Sequence, residues 1–281
     1  MSSSPREMAA RNEEIADAGG YRTVGGVEVD IRAALAAARA GTVSYAPEDV
    51  VTGGERGGFA GRPEVTDEGS IDAARRLFES GGRSVGVLNF ASARNPGGGY
   101  LRGARAQEED LCRSALLYRC LLEAPDYYAA HRDSTDLRYS DRVIFSPGVP
   151  VVRDRSGELR TDPYPVSFLT SPAPNAGQLN LLSEQPVSVR EVLNTRADKV
   201  LAVAARHGIR DLVLGAWGCG VFRNDPAEVA AAFAHALDIH GAAFDRVVFA
   251  VWDRAAVSAN RTAFEDRFLS PTRQSGQQDN D

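Results

Sequence analysis

The sequence predicts a three-layer α/β/α fold on a mixed, mostly parallel central sheet, with a helical and strand extension at the N-terminus. Three observations carry that expectation. Apolar, β-branched runs at residues 84–90 (SVGVLNF), 211–217 (DLVLGAW) and 244–253 (FDRVVFAVWD) have the composition of strands buried on both faces. Helical periods separate them, and strands alternating with helices build a parallel sheet covered on both sides. Glycine-rich loops follow the first two runs directly, at the strand ends where open α/β sheets hold their ligands.

Along the chain, residues 8–17 read as a polar helix, and the strand-like YRTVGGVEVD follows with a Gly-Gly turn at its middle. Residues 31–40 are alanine-rich and helical in propensity. TVSYAPEDVV is expected as an extended edge segment, because Pro47 cannot donate to a ladder. GGERGGFAG, residues 53–61, is expected as a mobile connector, with a lid over a ligand as the alternative. Residues 70–79 supply the helix before the 84–90 strand. A helix over residues 110–123 repeats Leu111, Ala115 and Leu122, with Cys112/Leu116 and Leu117/Leu121, at three- and four-residue spacing, enough to bury one face.

RVIFSPGVPVVRD and YPVSFLTSPAPNAG flank the turn residues RSGE and are expected as neighbouring strands. Four prolines, from Pro163 to Pro174, are expected to force an extended, irregular path. SVREVLNTRADKVLAVAARHG reads as a helix with Val192, Val200 and Val203 among its apolar positions, closed by Gly208. DPAEVAAAFAHALDIHG reads as a helix capped by Asp225, with Pro226 at the first helical position. A last helix spans residues 260–268. Residues 1–269 are expected to form a single domain, and the polar residues 270–281 a disordered tail.

With 281 residues, 43% hydrophobic and 25% charged, the chain can bury a full core. Its net charge of −6 and pI near 5.4 argue against DNA as a partner, since nucleic-acid binding rests on clustered Lys and Arg. An anionic ligand must then be held by local backbone donors. Cys112, Cys120 and Cys219 contain no CxxC pair, which argues against a disulfide framework or a cysteine zinc site and suits a reducing cytoplasm. The first residues have no apolar stretch of signal-peptide type, and no run approaches the ~18 apolar residues of a membrane span. A cytoplasmic monomer without membrane contact is expected. His131, His207, His235 and His240 show no metal or triad spacing and are expected at helix ends or on the surface; no metal and no cofactor is indicated.

The chemistry concentrates in NPGGGYLRGARAQEED, residues 95–110. Gly97, Gly98 and Gly99 mark a turn or a close ligand approach that a Cβ would block. Gln107, Glu108 and Glu109 then deliver two carboxylates to the mouth of that loop. Free N–H groups of such a loop and helix start can hold phosphate oxygens, and a nearby carboxyl can protonate a leaving oxygen. The pattern of GGG, seven residues and QEE resembles the signature of poly(ADP-ribose) glycohydrolases of the short bacterial type, which are built on a macrodomain. The similarity extends over residues 11–269. GAWGCGVFRNDP, after the 211–217 strand, resembles the diphosphate-gripping loop of the same family.

The resemblance implies hydrolysis of ribose–ribose O-glycosidic bonds in poly(ADP-ribose), releasing ADP-ribose. On it, Glu109 protonates the departing 2′-oxygen and then, as carboxylate, activates water, while Glu108 hydrogen-bonds ribose hydroxyls. Asn95 is the implied ribose ligand and Gln107 orients the loop. Amides of Gly218, Cys219, Gly220, Val221 and Phe222 surround the diphosphate, with the Phe222 ring near a ribose. Neighbouring helical side chains diverge by about 100°, so one carboxyl is expected to carry both proton transfers. A helix N-terminus favours the carboxylate form of Glu109, whereas burial, Glu108 and the substrate diphosphate favour the acid; the second set is expected to prevail in the complex.

Cys219 has no basic neighbour in its segment to activate it and is read as a small loop residue. Trp252 is read as core or rim packing, with adenine stacking as the alternative. Three other functions stay open: a non-catalytic ADP-ribose-binding macrodomain, a mono-ADP-ribosyl hydrolase acting on protein side chains, and a phosphate-processing enzyme acting on an ADP-ribose derivative.

Overall fold

The computed structural model describes residues 4–82, 84–181, 189–255 and 257–270. Helix α1 (Pro5–Ala18) leads into a hairpin of β1 (Gly20–Arg22) and β2 (Glu28–Asp30). Ser4 starts α1 with a reciprocal cap: its hydroxyl accepts from the Glu7 N–H while the Glu7 carboxylate accepts from the Ser4 N–H. Helix α2 (Arg32–Ala40), β3 (Val43–Tyr45), β4 (Glu64–Thr66), α3 (Ser70–Glu79) and β5 (Val85–Phe90) follow. Beyond a glycine turn come α4 (Gln107–Ser114), α5 (Leu117–Leu121) and α6 (Pro125–Arg132). A long hairpin of β6 (Val143–Arg153) and β7 (Leu159–Ser171) leads to α7 (Ala176–Leu179), α8 (Val189–Arg206) and β8 (Asp211–Leu214). Helix α9 (Pro226–His240), β9 (Arg246–Ala250) and α10 (Ala259–Phe268) complete the described chain.

Seven strands form one sheet in the order β3-β6-β7-β5-β8-β9-β4. The β3–β6 and β6–β7 pairs are antiparallel; β7–β5, β5–β8, β8–β9 and β9–β4 are parallel. This is the mixed, mostly parallel sheet expected. Successive side chains of β5 enter opposite cores: Val87 packs with Leu77, Leu111 and Phe168, and Leu88 with Leu201, Leu214 and Phe233. Helices α1 to α6 build the first layer and α8 to α10 the second, so the central strands are apolar on both faces. Because β5 and β8 are parallel neighbours, the loops after Phe90 and Leu214 leave the sheet side by side from the same edge.

Several local expectations change. The helix expected over residues 110–123 starts earlier and breaks. Helix α4 begins at Gln107, so both glutamates belong to its first turn, and Ala115 becomes extended (φ −119°, ψ 162°) to bridge Val151. The Leu116 N–H donates to Pro150 O at 3.1 Å, a long-range pairing that overrides the local helical period. Pro163 and Pro165 lie inside β7, not in an irregular path, because β5 meets β7 only from Ser167 onward and leaves that side of the strand without a ladder.

Residues 53–61 are neither a loose connector nor a lid. Gly57 donates to Ile239 O (2.8 Å) and accepts from the Ala242 N–H (2.9 Å), and Phe59 packs on Gly241 so closely that a Cβ there would strike it. These contacts lie at the far end of α9, away from the edge where its N-terminus and the β8 loop sit. The segment then enters β4, a three-residue polar strand with no sequence signature, made by parallel pairing with β9. His131 and His240 stand at helix ends, in the last turns of α6 and α9, and both are buried; His240 Nε2 meets Asp198 at 2.9 Å. Of the expected tail, residues 271–281 lie outside the described residues, in which no helix is long and apolar enough to cross a membrane.

Asn12 ties α1 to the core. Wholly buried, it donates through Nδ2 to Cys112 O (3.3 Å) and Arg113 O (2.7 Å), and its Oδ1 accepts from Arg153 Nε (2.9 Å). Asn12→Ala removes all three bonds and takes a partner from a buried guanidinium, so the unfolding free energy in urea should fall by about 3 kcal/mol. A fall below ~1 kcal/mol would show that α1 is not locked through this residue.

Candidate active site

The turn after β5 is shaped by its glycines. Gly97 (φ 63°) and Gly98 (φ 58°) are both left-handed, and the Gly98 N–H donates to Asn95 O at 2.9 Å. A Cβ on Gly98 would lie 2.5 Å from Glu109 Oε1 and 3.1 Å from Glu108 Oε2. The missing side chain is the space that two carboxyl groups fill.

Three consecutive side chains of the first turn of α4 do three different jobs. Gln107 reaches back to β5 and α3: its Oε1 accepts from the Phe90 N–H (2.9 Å), and its Nε2 donates to Leu88 O (2.8 Å) and Ser70 Oγ (3.1 Å). Glu108 accepts from the Ser92 N–H (2.7 Å) and from Asn89 Nδ2 (3.3 Å). Glu109 accepts from the Gly99 N–H (2.7 Å) and from the Ala106 N–H (3.1 Å), closing the loop onto the helix start. The Cα–Cβ directions of the two glutamates diverge, yet both carboxyls end beside Gly98 because each side chain bends to a backbone donor of the turn. Both residues are under a tenth exposed.

Burial pushes the Glu108 carboxyl up to about 8. The charge of Glu109 adds to that shift, while the hydrogen bonds from the Ser92 N–H and Asn89 oppose it. Glu108 therefore keeps its proton near neutral pH.

The loop after β8 is rigid at its base and open at its tip. Trp217 Nε1 donates to Ser171 O (3.1 Å), and the buried Asn224 donates through Nδ2 to Pro174 O (2.9 Å) and Gly218 O (3.1 Å). Gly218 is left-handed (φ 72°), and a Cβ there would strike Asn224 and Ala173. The Cys219 N–H donates to Ala216 O (3.2 Å), so this amide is committed inside the loop. The Cys219 thiol lies toward Trp217 O (3.8 Å) and burial pushes it up to about 12, which removes it as a nucleophile. The amides of Gly220, Val221 and Phe222 donate no backbone hydrogen bond among the described residues. Three consecutive N–H groups without a backbone acceptor are donors of the kind that can serve an anion. The Phe222 ring lies 5.9 Å from that of Tyr139.

A cavity of about 570 Å³ runs along the strand ends, lined by Phe90, Gln107, Ala216, Gly220, Ala250 and Trp252 among others. It touches the loop after β8 at Gly220 and the loop after β5 only near its two ends, at Phe90 and Gln107; the glycines 97–99 do not line it. Glu108 and Glu109 are not among its lining residues; they stand against the turn at Gly98. Trp252 is 61% exposed and belongs to the rim, not the core. Asn95 is exposed; its N–H donates to Ser92 Oγ (3.2 Å), and its side chain makes no hydrogen bond among the described residues. Among the described residues no group of three or more His, Cys, Asp or Glu is placed to hold a metal ion.

Sequence reasoning missed Asn89 and Ser92, which hold Glu108. The available signal was Asn89 itself, the single polar residue in an otherwise apolar strand. It is wholly buried, and its Oδ1 has no hydrogen-bond partner.

The chain is similar to proteins of one known family. The family model described as microbial-type PARG, catalytic domain, matches residues 9–154. The solved poly(ADP-ribose) glycohydrolase from Thermomonospora curvata bound to the inhibitor ADP-HPD is 48% identical, with a TM-score of 0.86 over 94% of this chain and 99% of that one. The enzyme from Deinococcus radiodurans in complex with ADP-ribose is 47% identical, with a TM-score of 0.76 over 83% of this chain and 96% of that one. No match was found among curated proteins. This chain belongs to the microbial-type poly(ADP-ribose) glycohydrolase family.

Proposed function

We propose that this chain hydrolyses the ribose–ribose O-glycosidic bonds of poly(ADP-ribose) and releases ADP-ribose. The observation that carries the reading is the convergence of Glu108 and Glu109 on the space left by Gly98, beside a second loop with three free amides. A polymer unit lies along the crevice with its diphosphate on the amides of Gly220, Val221 and Phe222. Its distal ribose reaches the carboxyl pair, and its adenosine lies toward Trp252. The ligands held by the two solved relatives, ADP-HPD and ADP-ribose, support that class of occupant.

Glu109 gives its proton to the departing 2′-oxygen as the bond from that oxygen to the anomeric carbon breaks, leaving an oxocarbenium-like sugar. The resulting carboxylate takes a proton from the water that adds to the same carbon, which restores the acid. Glu108, neutral near pH 7, hydrogen-bonds ribose hydroxyls, so that Glu109 meets no neighbouring negative charge when it becomes a carboxylate after the proton transfer. Gln107 holds the helix start to β5 so that both carboxyls keep their places. No metal or cofactor takes part in these steps. Residues 1–269 act as one catalytic domain, with α1 joined to α4 through Asn12. We take the chain to act as a cytoplasmic monomer; its three free thiols suit a reducing compartment, and its acidic charge disfavours DNA as a partner.

Glu109→Gln should abolish release of ADP-ribose from polymer while ADP-ribose binding, measured by calorimetry, stays within about threefold of the unaltered protein. Near-normal turnover would remove Glu109 from the mechanism. Parallel incubation with singly modified protein separates polymer hydrolysis from mono-ADP-ribosyl hydrolysis. The pH dependence of stability tests Glu108. Its folded pKa of about 8 lies above the ordinary 4.5, so between those values the folded protein keeps a proton that the unfolded chain has released. Stability from this group is therefore full at the acid side of the window and falls as pH rises through it. Glu108→Gln should flatten that fall in chemical denaturation across the window, and parallel profiles would contradict the buried-acid account.

A further inference from the structure

The segment between α6 and β6, residues 133–142, crosses from one glycine-rich loop to the other. On one side, Arg132 Nη1 donates to Arg94 O (2.9 Å) and Arg94 Nη2 donates to Ser134 O (3.1 Å), which ties the segment to the loop after β5. On the other side, the Asn175 N–H donates to Leu137 O and the Gly177 N–H to Phe222 O, each at 2.9 Å. The Tyr139 ring lies 5.9 Å from the Phe222 ring, tilted by 42°. The bridge thus joins the two loops on the side of β7, whereas Trp252 follows β9.

Tyr139 holds an unusual backbone conformation on that bridge. Its φ of 61° is left-handed, which a bulky side chain disfavours. Bonds on both flanks impose it. Arg196, 1% exposed, donates to Arg138 O (3.0 Å), Asp141 Oδ1 (2.9 Å) and Pro172 O (2.7 Å). Ser140 donates through its N–H (3.1 Å) and hydroxyl (2.7 Å) to Nε2 of His131, whose Nδ1–H donates to Tyr127 O (2.8 Å). Burial pulls His131 down to about 4, so the imidazole stays neutral and able to accept. A buried guanidinium and a buried imidazole both serve one strained residue, and over-determined strain of this kind collects where a side chain must face a ligand.

We infer that Tyr139 is a ribose-contacting residue whose ring, with that of Phe222, forms the wall against which the sugar carrying the scissile bond packs. This rests on the glycohydrolase reading above, in which that sugar lies beside Glu109, next to the loop after β5 to which the bridge is bonded. The ring fixes the distance of the anomeric carbon from Glu109 through packing, and its edge contact with His131, 6.0 Å between centroids, keeps it from turning away.

Strain and contact predict opposite consequences when the ring is removed, which makes the inference testable. Glycine adopts φ near 60° freely, so Tyr139→Gly relieves the backbone while deleting the wall. The melting temperature of the ligand-free variant should stay within about 4 °C of the unaltered protein. Its affinity for ADP-ribose should fall about tenfold, the scale of one lost aromatic contact with its buried area. Tyr139→Phe should match the unaltered protein in both measurements, and Tyr139→Asn, which also tolerates this φ, should repeat the glycine result. Unchanged ADP-ribose affinity in Tyr139→Gly would overturn the inference, as would loss of stability and affinity together in both the glycine and asparagine variants. Failure of the unaltered protein to bind ADP-ribose at all would instead overturn the parent reading, and this one with it.

Discussion

Two carboxyl groups occupy the volume that a methyl group would take on Gly98. That exclusion is the constraint on which the rest of the site depends. It requires a left-handed glycine at the turn, a helix that begins at Gln107, and a β5 strand that stops at Phe90 so that the turn can double back. Glu108 and Glu109 are one residue apart on a helix and would ordinarily point to different neighbours. Here the backbone donors of Ser92, Gly99 and Ala106 draw both acids to the same place. Burial at that place raises the Glu108 carboxyl to about 8, and the neighbouring Glu109 adds a smaller push in the same direction.

The second loop solves a different electrostatic problem. A protein of net charge −6 is poorly suited to attract an anion through its overall field, and several of its arginines, Arg119, Arg196 and Arg246 among them, are held in ion pairs. Backbone N–H groups carry partial positive charge without adding a mobile side chain. Trp217 and Asn224 anchor the loop, and three of its amides, at Gly220, Val221 and Phe222, donate no backbone hydrogen bond among the described residues. Because β5 and β8 are neighbours in the sheet, these amides and the acid pair are held by adjacent strands. Strand pairing, not a flexible loop, sets the relation between binding and chemistry.

Local signals in the sequence were enough for the strands that carry the site and for the glycine and QEE groups. Apolar period, an Asp-Pro helix start and a run of glycines each act over a few residues, and β5, β8 and α9 appear where those signals lie. Features made by distant partners were not legible. Ala115 leaves the helical path for Val151, β4 exists through β9, and residues 53–61 are fixed by the end of α9. The same holds within the site. Cys219 looks like an available donor in the sequence, but its amide is used by Ala216 inside the turn. Nothing local marks Tyr139 either, because its backbone conformation comes from Arg196 and His131, which are remote in sequence or separated by a loop.

The most direct measurement is turnover of poly(ADP-ribose) by Gly98→Ala, with circular dichroism confirming that the variant is folded. A single added Cβ sits 2.5 Å from the Glu109 carboxyl and must displace it. The account predicts loss of ADP-ribose release by about a hundredfold or more, in keeping with a misplaced catalytic group. Release at close to the rate of the unaltered protein would contradict it, because the acid pair would then act without the space that Gly98 leaves.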